Sequence, residues 1–378
     1  MQSIKLIGAD VGNDSLKIMC EDGKKYEIMN AIAPGYSRRV IGEEKKQPIN
    51  LLDVTINGER SFVGGIAYTF NRGDLREKTS KDIKATDEDT ITLLVTGLAY
   101  ALYDPLNPVK TENIGLGTLL PTEEYFNDDL FKKFESSLKN KSFEVKFNSP
   151  VFKKADITIN ILDIDIKPEG TAAALAYSYN IDGSDKEGNE NIEEETQLGI
   201  DIGSQTTDIT VIDHGEPRAF IGIPLGTAEP LDKIIADLDN LEELRGTHIE
   251  LSRHQLEYYL RKKVPLKINS KNGIVDISEK LNQFEKDRFS NFTRLLINRI
   301  YKELSLNGIN TEFFDRVNMV GGGSIDILDQ FKKMFNMGNI VLVEDARFAN
   351  AKGALTSIAL KGNLKEAAAD EVLNNTEN

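Results

Sequence analysis

The chain carries one motif twice, 191 residues apart, and this repeat constrains its fold more than any other feature. The segment from residue 8 reads GADVGNDSLKI, and the segment from residue 199 reads GIDIGSQTTDI. In this alignment Asp10 matches Asp201, and Gly12 matches Gly203. Solenoid repeats have much shorter periods, so a repeat at this distance predicts two duplicated domains.

Each copy of the motif is predicted to form a strand, a tight turn and a second strand. A glycine in the turn removes the Cβ that would block a phosphate oxygen, and successive backbone N–H groups can bind an anion. Hydroxyl side chains and a lysine add donors and charge. The candidate phosphate-binding residues are Gly12, Asn13, Asp14, Ser15 and Lys17 in the first copy, and Gly203, Ser204, Gln205, Thr206 and Thr207 in the second.

An aspartate ends the first strand of each copy. We expect Asp10 and Asp201 to hold Mg²⁺ through its water molecules, because Mg²⁺ keeps much of its hydration shell in proteins. A single Asp-x-Gly turn is common and is usually only a turn. Two such turns in register are what favours a phosphate site.

Strand-like and helix-like segments alternate along the rest of the chain, which predicts an α/β protein. The segment 181–196, IDGSDKEGNENIEEET, is acidic and is interpreted as a solvated loop at a domain boundary. An acidic contact surface is the alternative. The predicted division is domain I at residues 1–180, with the C-terminal helix at 345–378 returning to it, and domain II at 181–344.

Charge and composition exclude several classes of function. The 378 residues include 61 acidic and 46 basic side chains, for a net charge of −15. Direct DNA binding requires a basic surface to replace counterions, and the sequence has no basic cluster. No stretch approaches the roughly 20 apolar residues of a membrane span. One cysteine excludes an internal disulfide. These features predict a cytoplasmic protein without membrane contact.

The chain resembles the actin-like ATPase superfamily, because five motifs of that family can be placed in order. The two phosphate motifs correspond to 10–17 and 201–208, the two connecting helices to 168–174 and 349–354, and the adenosine motif to 320–324. The resemblance spans about residues 4–360. It implies a duplicated actin-like fold, in which two domains flank a nucleotide cleft.

The resemblance implies a catalytic role for Glu169. In the family, the residue at the start of the first connecting helix orients the attacking water, and bacterial actins commonly have Glu there. Pro168 is predicted to open this helix. The alternative is a surface glutamate that the helix dipole stabilises by a few tenths of a kcal/mol.

The nucleoside end of the cleft is assigned to glycines. Gly321, Gly322 and Gly323 lie between a predicted strand and a predicted helix, with Ser324 as the expected helix N-cap. Outside this context a glycine triplet is simply a tight turn. Gly226 is expected to add a contact beside the phosphates.

Within the superfamily, the chain is most similar to the plasmid-segregation actins, the ParM/StbA-like and Alp proteins. The resemblance implies Mg²⁺-dependent hydrolysis of ATP or GTP, with self-assembly into head-to-tail filaments that move plasmid DNA. Because the chain is acidic, a separate DNA-binding adaptor is expected to hold the plasmid. The alternatives are a non-polymerising small-substrate kinase, a nucleotide-regulated scaffold, and another bacterial cytoskeletal actin.

Overall fold

The computed structural model describes residues 4–38, 46–70, 72–75, 82–187, 194–247, 249, 251–270, 273–309 and 314–376. Of the acidic segment predicted to be a boundary loop, residues 188–193 lie outside the described residues. The domain boundaries at 180/181 and 344/345 stay a prediction. In the described part of the chain, no helix is long and apolar enough to cross a membrane.

The first half of the chain forms a mixed sheet of nine described strands. Their order across the sheet is β3-β2-β1-β7-β9-β8-β5-β6-β4. Helices pack on the central strands and bury most of their apolar side chains. The bounds are β1 Lys5–Val11, β2 Ser15–Cys20, β3 Lys25–Met29, β4 Ile32–Pro34, β5 Leu52–Ile56, β6 Glu59–Val63, β7 Val109–Leu120, β8 Lys141–Phe147 and β9 Asp156–Pro168.

The second half forms a smaller sheet of five described strands, in the order β12-β11-β10-β15-β16. A separate two-stranded hairpin, β13-β14, lies outside it. The bounds are β10 Thr196–Ile202, β11 Thr207–Asp213, β12 Glu216–Ile223, β13 Lys267–Ser270, β14 Gly273–Asp276, β15 Arg316–Val320 and β16 Asn339–Leu342.

Ten described helices surround the sheets. Side chains just before three of them cap the helix N-terminus, at Asp87, Asn127 and Ser252; the Asp87 carboxylate, for example, accepts the N–H groups of Asp89 and Thr90 at the start of α2. The bounds are α1 Gly65–Phe70, α2 Glu88–Leu102, α3 Thr122–Tyr125, α4 Asp128–Leu138, α5 Thr171–Ser178, α6 Ala228–Asp239, α7 Arg253–Lys262, α8 Ser278–Leu306, α9 Gly322–Met334 and α10 Ala349–Thr376.

The two sheets share one topology around the repeated motif. Strand β1 pairs antiparallel with β2 and parallel with β7, while β10 pairs antiparallel with β11 and parallel with β15. The next antiparallel neighbours, β3 and β12, complete the match. The order β3-β2-β1-β7 therefore corresponds to β12-β11-β10-β15, as expected for a duplicated unit.

Helices α5 and α10 cross in close contact between the sheets. A Cβ built on Gly353 of α10 would lie 1.9 Å from the backbone oxygen of Ala172 in α5. On its other side α10 packs on the first sheet, where a Cβ on Gly117 of β7 would lie 1.8 Å from the backbone oxygen of Ala354. The small residues of these helices are therefore required by the packing.

Candidate functional site

The two copies of the motif form hairpins that close in the same way. In the first, the N–H of Gly12 donates to the carbonyl oxygen of Ser15 at 3.0 Å; in the second, the N–H of Gly203 donates to that of Thr206 at 2.9 Å. Both turns line one cleft of about 840 Å³. The fold therefore brings the two repeated segments to a common site.

Most of the residues predicted for the site line this cleft. They are Asp10, Gly12, Asn13, Asp14, Ser15, Lys17, Glu169, Asp201, Gly203, Ser204, Gln205, Thr206, Gly321, Gly322 and Gly323. Their roles in nucleotide binding and hydrolysis stay a prediction.

Three predicted residues do not line the cleft. Thr207 is buried, and its hydroxyl donates to the carbonyl oxygen of Leu225 at 2.8 Å. Gly226 packs under the second turn, where a Cβ would overlap the backbone of Ser204. Ser324 is not the N-cap of α9, because the helix already begins at Gly322 and the Ser324 hydroxyl donates to the carbonyl oxygen of Val320.

Asp10 and Asp201 are almost completely buried beside the cleft, with 6% and 7% of their surface exposed. Burial raises the pKa of Asp201 to about 7. The hydrogen bond that Asn350 donates lowers this pKa, whereas the nearby charge of Asp10 raises it further. That bond, from Asn350 Nδ2 to Asp201 Oδ2, measures 2.6 Å. The Nζ of Lys17 lies 3.9 Å from Asp10 Oδ2.

A further carboxylate, Asp208, faces the same region from β11. Burial raises its pKa well above the usual range, and the charges of Glu169 and Asp201 act in the same direction. The cleft thus collects buried acids whose charged forms are unfavourable without a cation.

Magnesium fits this donor set only through its water molecules. The described residues contain no group of three or more His, Cys, Asp or Glu side chains placed to hold an ion directly. Two polar atoms that belong to cleft residues, Ser204 Oγ and Asn350 Oδ1, are buried without a hydrogen-bond partner among the described residues. The carboxylates of Asp10 and Asp201, together with these two oxygen atoms, are suited to accept hydrogen bonds from the water molecules of a hydrated Mg²⁺.

Glu169 lies just before α5 rather than inside it. Pro168 ends strand β9, and Gly170 has a φ of 92°, so the helix begins at Thr171 and not at Pro168 as predicted. The N–H of Glu169 donates to the carbonyl oxygen of Leu120 at 2.8 Å. Its carboxylate reaches into the cleft and accepts a hydrogen bond from Lys84 Nζ at 2.5 Å.

The glycine triplet joins β15 to α9 beside the second hairpin. Gly321 has a φ of 83°, and a Cβ there would lie 2.3 Å from Asp201 Oδ1. Only glycine satisfies both conditions. The residue therefore lets the chain turn directly against the buried aspartate.

Two arginines at the other end of the cleft were missed by the motif analysis. Arg347 forms an ion pair with Glu27 at 2.6 Å, and Arg261 forms one with Asp326 at 3.0 Å. Both arginine side chains lie near Gly322. No motif marks them in the sequence. Arg347 pairs with a residue 320 positions away, and Arg261 pairs with Asp326, 65 positions away, and lies 3.8 Å from Glu257 in its own helix.

Comparison with known proteins finds a family model that matches the first part of the chain. Residues 8–171 match the model of the actin-like proteins N-terminal domain family. No curated protein matches the sequence closely enough to serve as a relative.

Solved structures match nearly the whole chain at low sequence identity. The actin-like protein Alp7A matches with a TM-score of 0.73 at 16% identity, covering 97% of this chain and 98% of its own. An archaeal actin homologue, Ta0583, matches with a TM-score of 0.69 at 20% identity, covering 94% of this chain and 99% of its own. Bacillus thuringiensis ParM with AMPPNP matches with a TM-score of 0.68 at 18% identity, covering 96% of this chain and 100% of its own.

These matches confirm the resemblance predicted from the sequence and the predicted fold class. The match to the N-terminal domain model covers the first hairpin and Glu169, and the structural matches extend over both sheets. Residues 8–171 therefore resemble the N-terminal domain of the actin-like proteins, and the chain as a whole has the two-domain α/β fold of the matched structures.

Proposed function

We propose that this protein binds a nucleoside triphosphate with Mg²⁺ in the cleft and hydrolyses it, and that nucleotide binding drives its assembly into filaments that segregate plasmid DNA. One observation carries the proposal: two equivalent hairpins, each with a buried aspartate, line the same cleft as Glu169. The similarity to ParM and Alp7A supports the filament and plasmid parts of the proposal.

In this proposal the phosphate chain lies between the two turns. The turn residues 12–15 and 203–206 supply backbone and side-chain donors, and Lys17 supplies a positive charge. Asp10 and Asp201 hold the waters of Mg²⁺, which neutralises charge on the phosphate oxygens when bound. The glycine triplet lies against the nucleoside.

Glu169 is the residue that we assign to the attacking water. Its carboxylate accepts a proton from the water while the water oxygen forms a bond to the terminal phosphorus. The bond between that phosphorus and the bridging oxygen breaks, and the nucleoside diphosphate leaves with the electron pair. Inorganic phosphate is the second product.

The charge of the chain favours an adaptor over direct DNA contact. A net charge of −15 repels duplex DNA, so a basic partner protein is expected to join the filament to the plasmid in the cytoplasm. Tight binding of duplex DNA by the purified protein alone at physiological salt would contradict this part of the proposal.

The test is light scattering with parallel measurement of phosphate release, on purified protein given Mg-ATP or Mg-GTP. Scattering that rises with nucleotide above a critical protein concentration, together with phosphate release, supports a filament-forming nucleotidase and reveals its base preference. Binding without scattering would instead indicate a small-substrate kinase, and scattering without phosphate release a nucleotide-regulated scaffold.

A further inference from the structure

A second partly buried lysine, Lys84, enters the cleft from outside both hairpins. It lies in a single 3-10 turn, Lys84–Thr86, just before α2. Its Nζ is 2.5 Å from Glu169 Oε1, and the two side chains are 14% and 13% exposed. This pair joins segments that are 85 residues apart in the sequence.

The charges around Lys84 keep it protonated. Burial alone would lower the pKa of Lys84, but the carboxylates of Glu169, Asp10 and Asp208 more than offset it and raise the pKa. Lys84 therefore presents an ammonium group to a cleft wall that is otherwise rich in acids.

An independent contact fixes the turn that carries Lys84. Glu124, a buried residue of α3, accepts the backbone N–H groups of Lys84 and Ala85 at 3.0 and 2.8 Å. The backbone position of Lys84 thus does not depend on the ion pair with Glu169. The turn is held whether or not the ammonium group stays on that carboxylate.

The position of Lys84 separates it from Lys17, the other lysine among the described residues of the cleft. Lys17 lies on the first hairpin, near Asp10. Lys84 lies against Glu169, which in the proposed reaction accepts the proton of the water that attacks the terminal phosphorus. A cation at this point faces the terminal phosphate, which only the triphosphate carries.

We propose that Lys84 recognises the terminal phosphate of the bound nucleoside triphosphate and positions Glu169 beside it. The inference rests on the proposed function. It makes Lys84 the residue that distinguishes the triphosphate from the diphosphate, because the diphosphate leaves the ammonium group with Glu169 alone.

The test compares affinities for two probes, the imido analogue of ATP or GTP and the matching diphosphate, both with Mg²⁺. The measurement uses a Glu169→Gln parent. Its neutral amide avoids the unpaired carboxylate that would remain at position 169 once Lys84 is replaced. Lys84→Met is added to it, and thermal unfolding checks that both variants are folded. Lys110→Met in the same parent is the matched control, since Lys110 is 12% exposed and pairs with Glu112 at 3.0 Å away from the cleft.

Lys84→Met is expected to weaken binding of the imido triphosphate by at least about tenfold, because a hydrogen bond to a charged group is lost. Binding of the diphosphate is expected to change by less than about twofold. In the otherwise unchanged protein, Lys84→Met is expected to lower turnover at saturating nucleotide, whereas Lys110→Met leaves it unchanged. Equal loss for both probes, or no loss for either, would overturn the inference.

The outcome separates this inference from the proposed function. If the protein binds both probes but releases no phosphate, hydrolysis is refuted while the affinity ratio still decides the role of Lys84. If the protein binds neither probe, both proposals fail.

Discussion

Replacing Gly353 by alanine tests the close crossing of α5 and α10. A Cβ at this position would lie 1.9 Å from the carbonyl oxygen of Ala172, whereas real Cβ contacts stay beyond 3.0 Å. The helices must therefore move apart by roughly 1 Å, and no side-chain rotation can relieve the overlap because the other atom belongs to the backbone. Gly353→Ala strains a packed interface that α10 shares with both α5 and the first sheet.

The expected magnitude combines two opposing effects. Overpacking costs about 1–3 kcal/mol, and more where the backbone must shift. Alanine in place of glycine inside a helix stabilises that helix by about 1 kcal/mol. Because only a backbone shift can relieve this overlap, the upper end of the overpacking range applies, and we expect Gly353→Ala to lower the free energy of unfolding by about 2 kcal/mol.

The matched control is Gly362→Ala, nine positions along the same helix. A Cβ on Gly362 would meet no atom within 4 Å, so this variant keeps only the helix-propensity gain and is expected to be more stable by up to about 1 kcal/mol. Urea denaturation followed by circular dichroism measures both variants. Equal stabilisation by the two substitutions would refute the reasoning, since it would mean that the crossing leaves room for a methyl group.

Three further predictions concern the cleft. Glu169→Gln should bind nucleotide normally but release phosphate about 10²- to 10⁴-fold more slowly, because a general base is lost; unchanged turnover would remove Glu169 from the mechanism. Because burial raises the pKa of Asp201 to about 7, the folded protein holds a proton there that the unfolded chain releases near the ordinary pKa of 3.8. The nucleotide-free protein should therefore lose stability as the pH rises from about 4 through 7, by up to about 4 kcal/mol, and Asp201→Asn should reduce this loss in urea unfolding at pH 5 and pH 8. An identical pH dependence in the variant would contradict the assignment. Gly321→Ala places a Cβ 2.3 Å from Asp201 Oδ1 at a φ of 83°, so it should abolish nucleotide binding in a calorimetric titration, whereas a normal isotherm would show that the turn can move.

The repeat predicted the centre of the site because each hairpin is a local structure. Strand, turn and strand follow one another directly, from Lys5 to Cys20 and from Thr196 to Asp213, so Asp10 and Asp201 could be placed at strand ends from the sequence alone. The duplication then implied that both hairpins meet one cleft. This part of the fold needed no knowledge of distant contacts.

The residues that the sequence missed reach the cleft through tertiary packing. Lys84 and Arg347 meet their partners 85 and 320 residues away, and neither lies in a motif.

Small errors in the predicted ends of strands and helices have local causes. Thr207 is the first residue of β11 and turns away from the cleft, since side chains on a strand alternate between faces. The left-handed conformation of Gly170 delays the start of α5, which the proline before it seemed to set.

The chain passes between the two sheets twice, and this has a mechanical consequence. One passage runs from the end of α5 to β10, and the other from β16 to the start of α10. Helices α5 and α10 come into backbone contact where they cross, at Ala172 and Gly353. A rotation of one sheet relative to the other about this crossing would change the separation of Asp10 and Asp201. A molecule bound by both hairpins would therefore set the relative orientation of the two sheets.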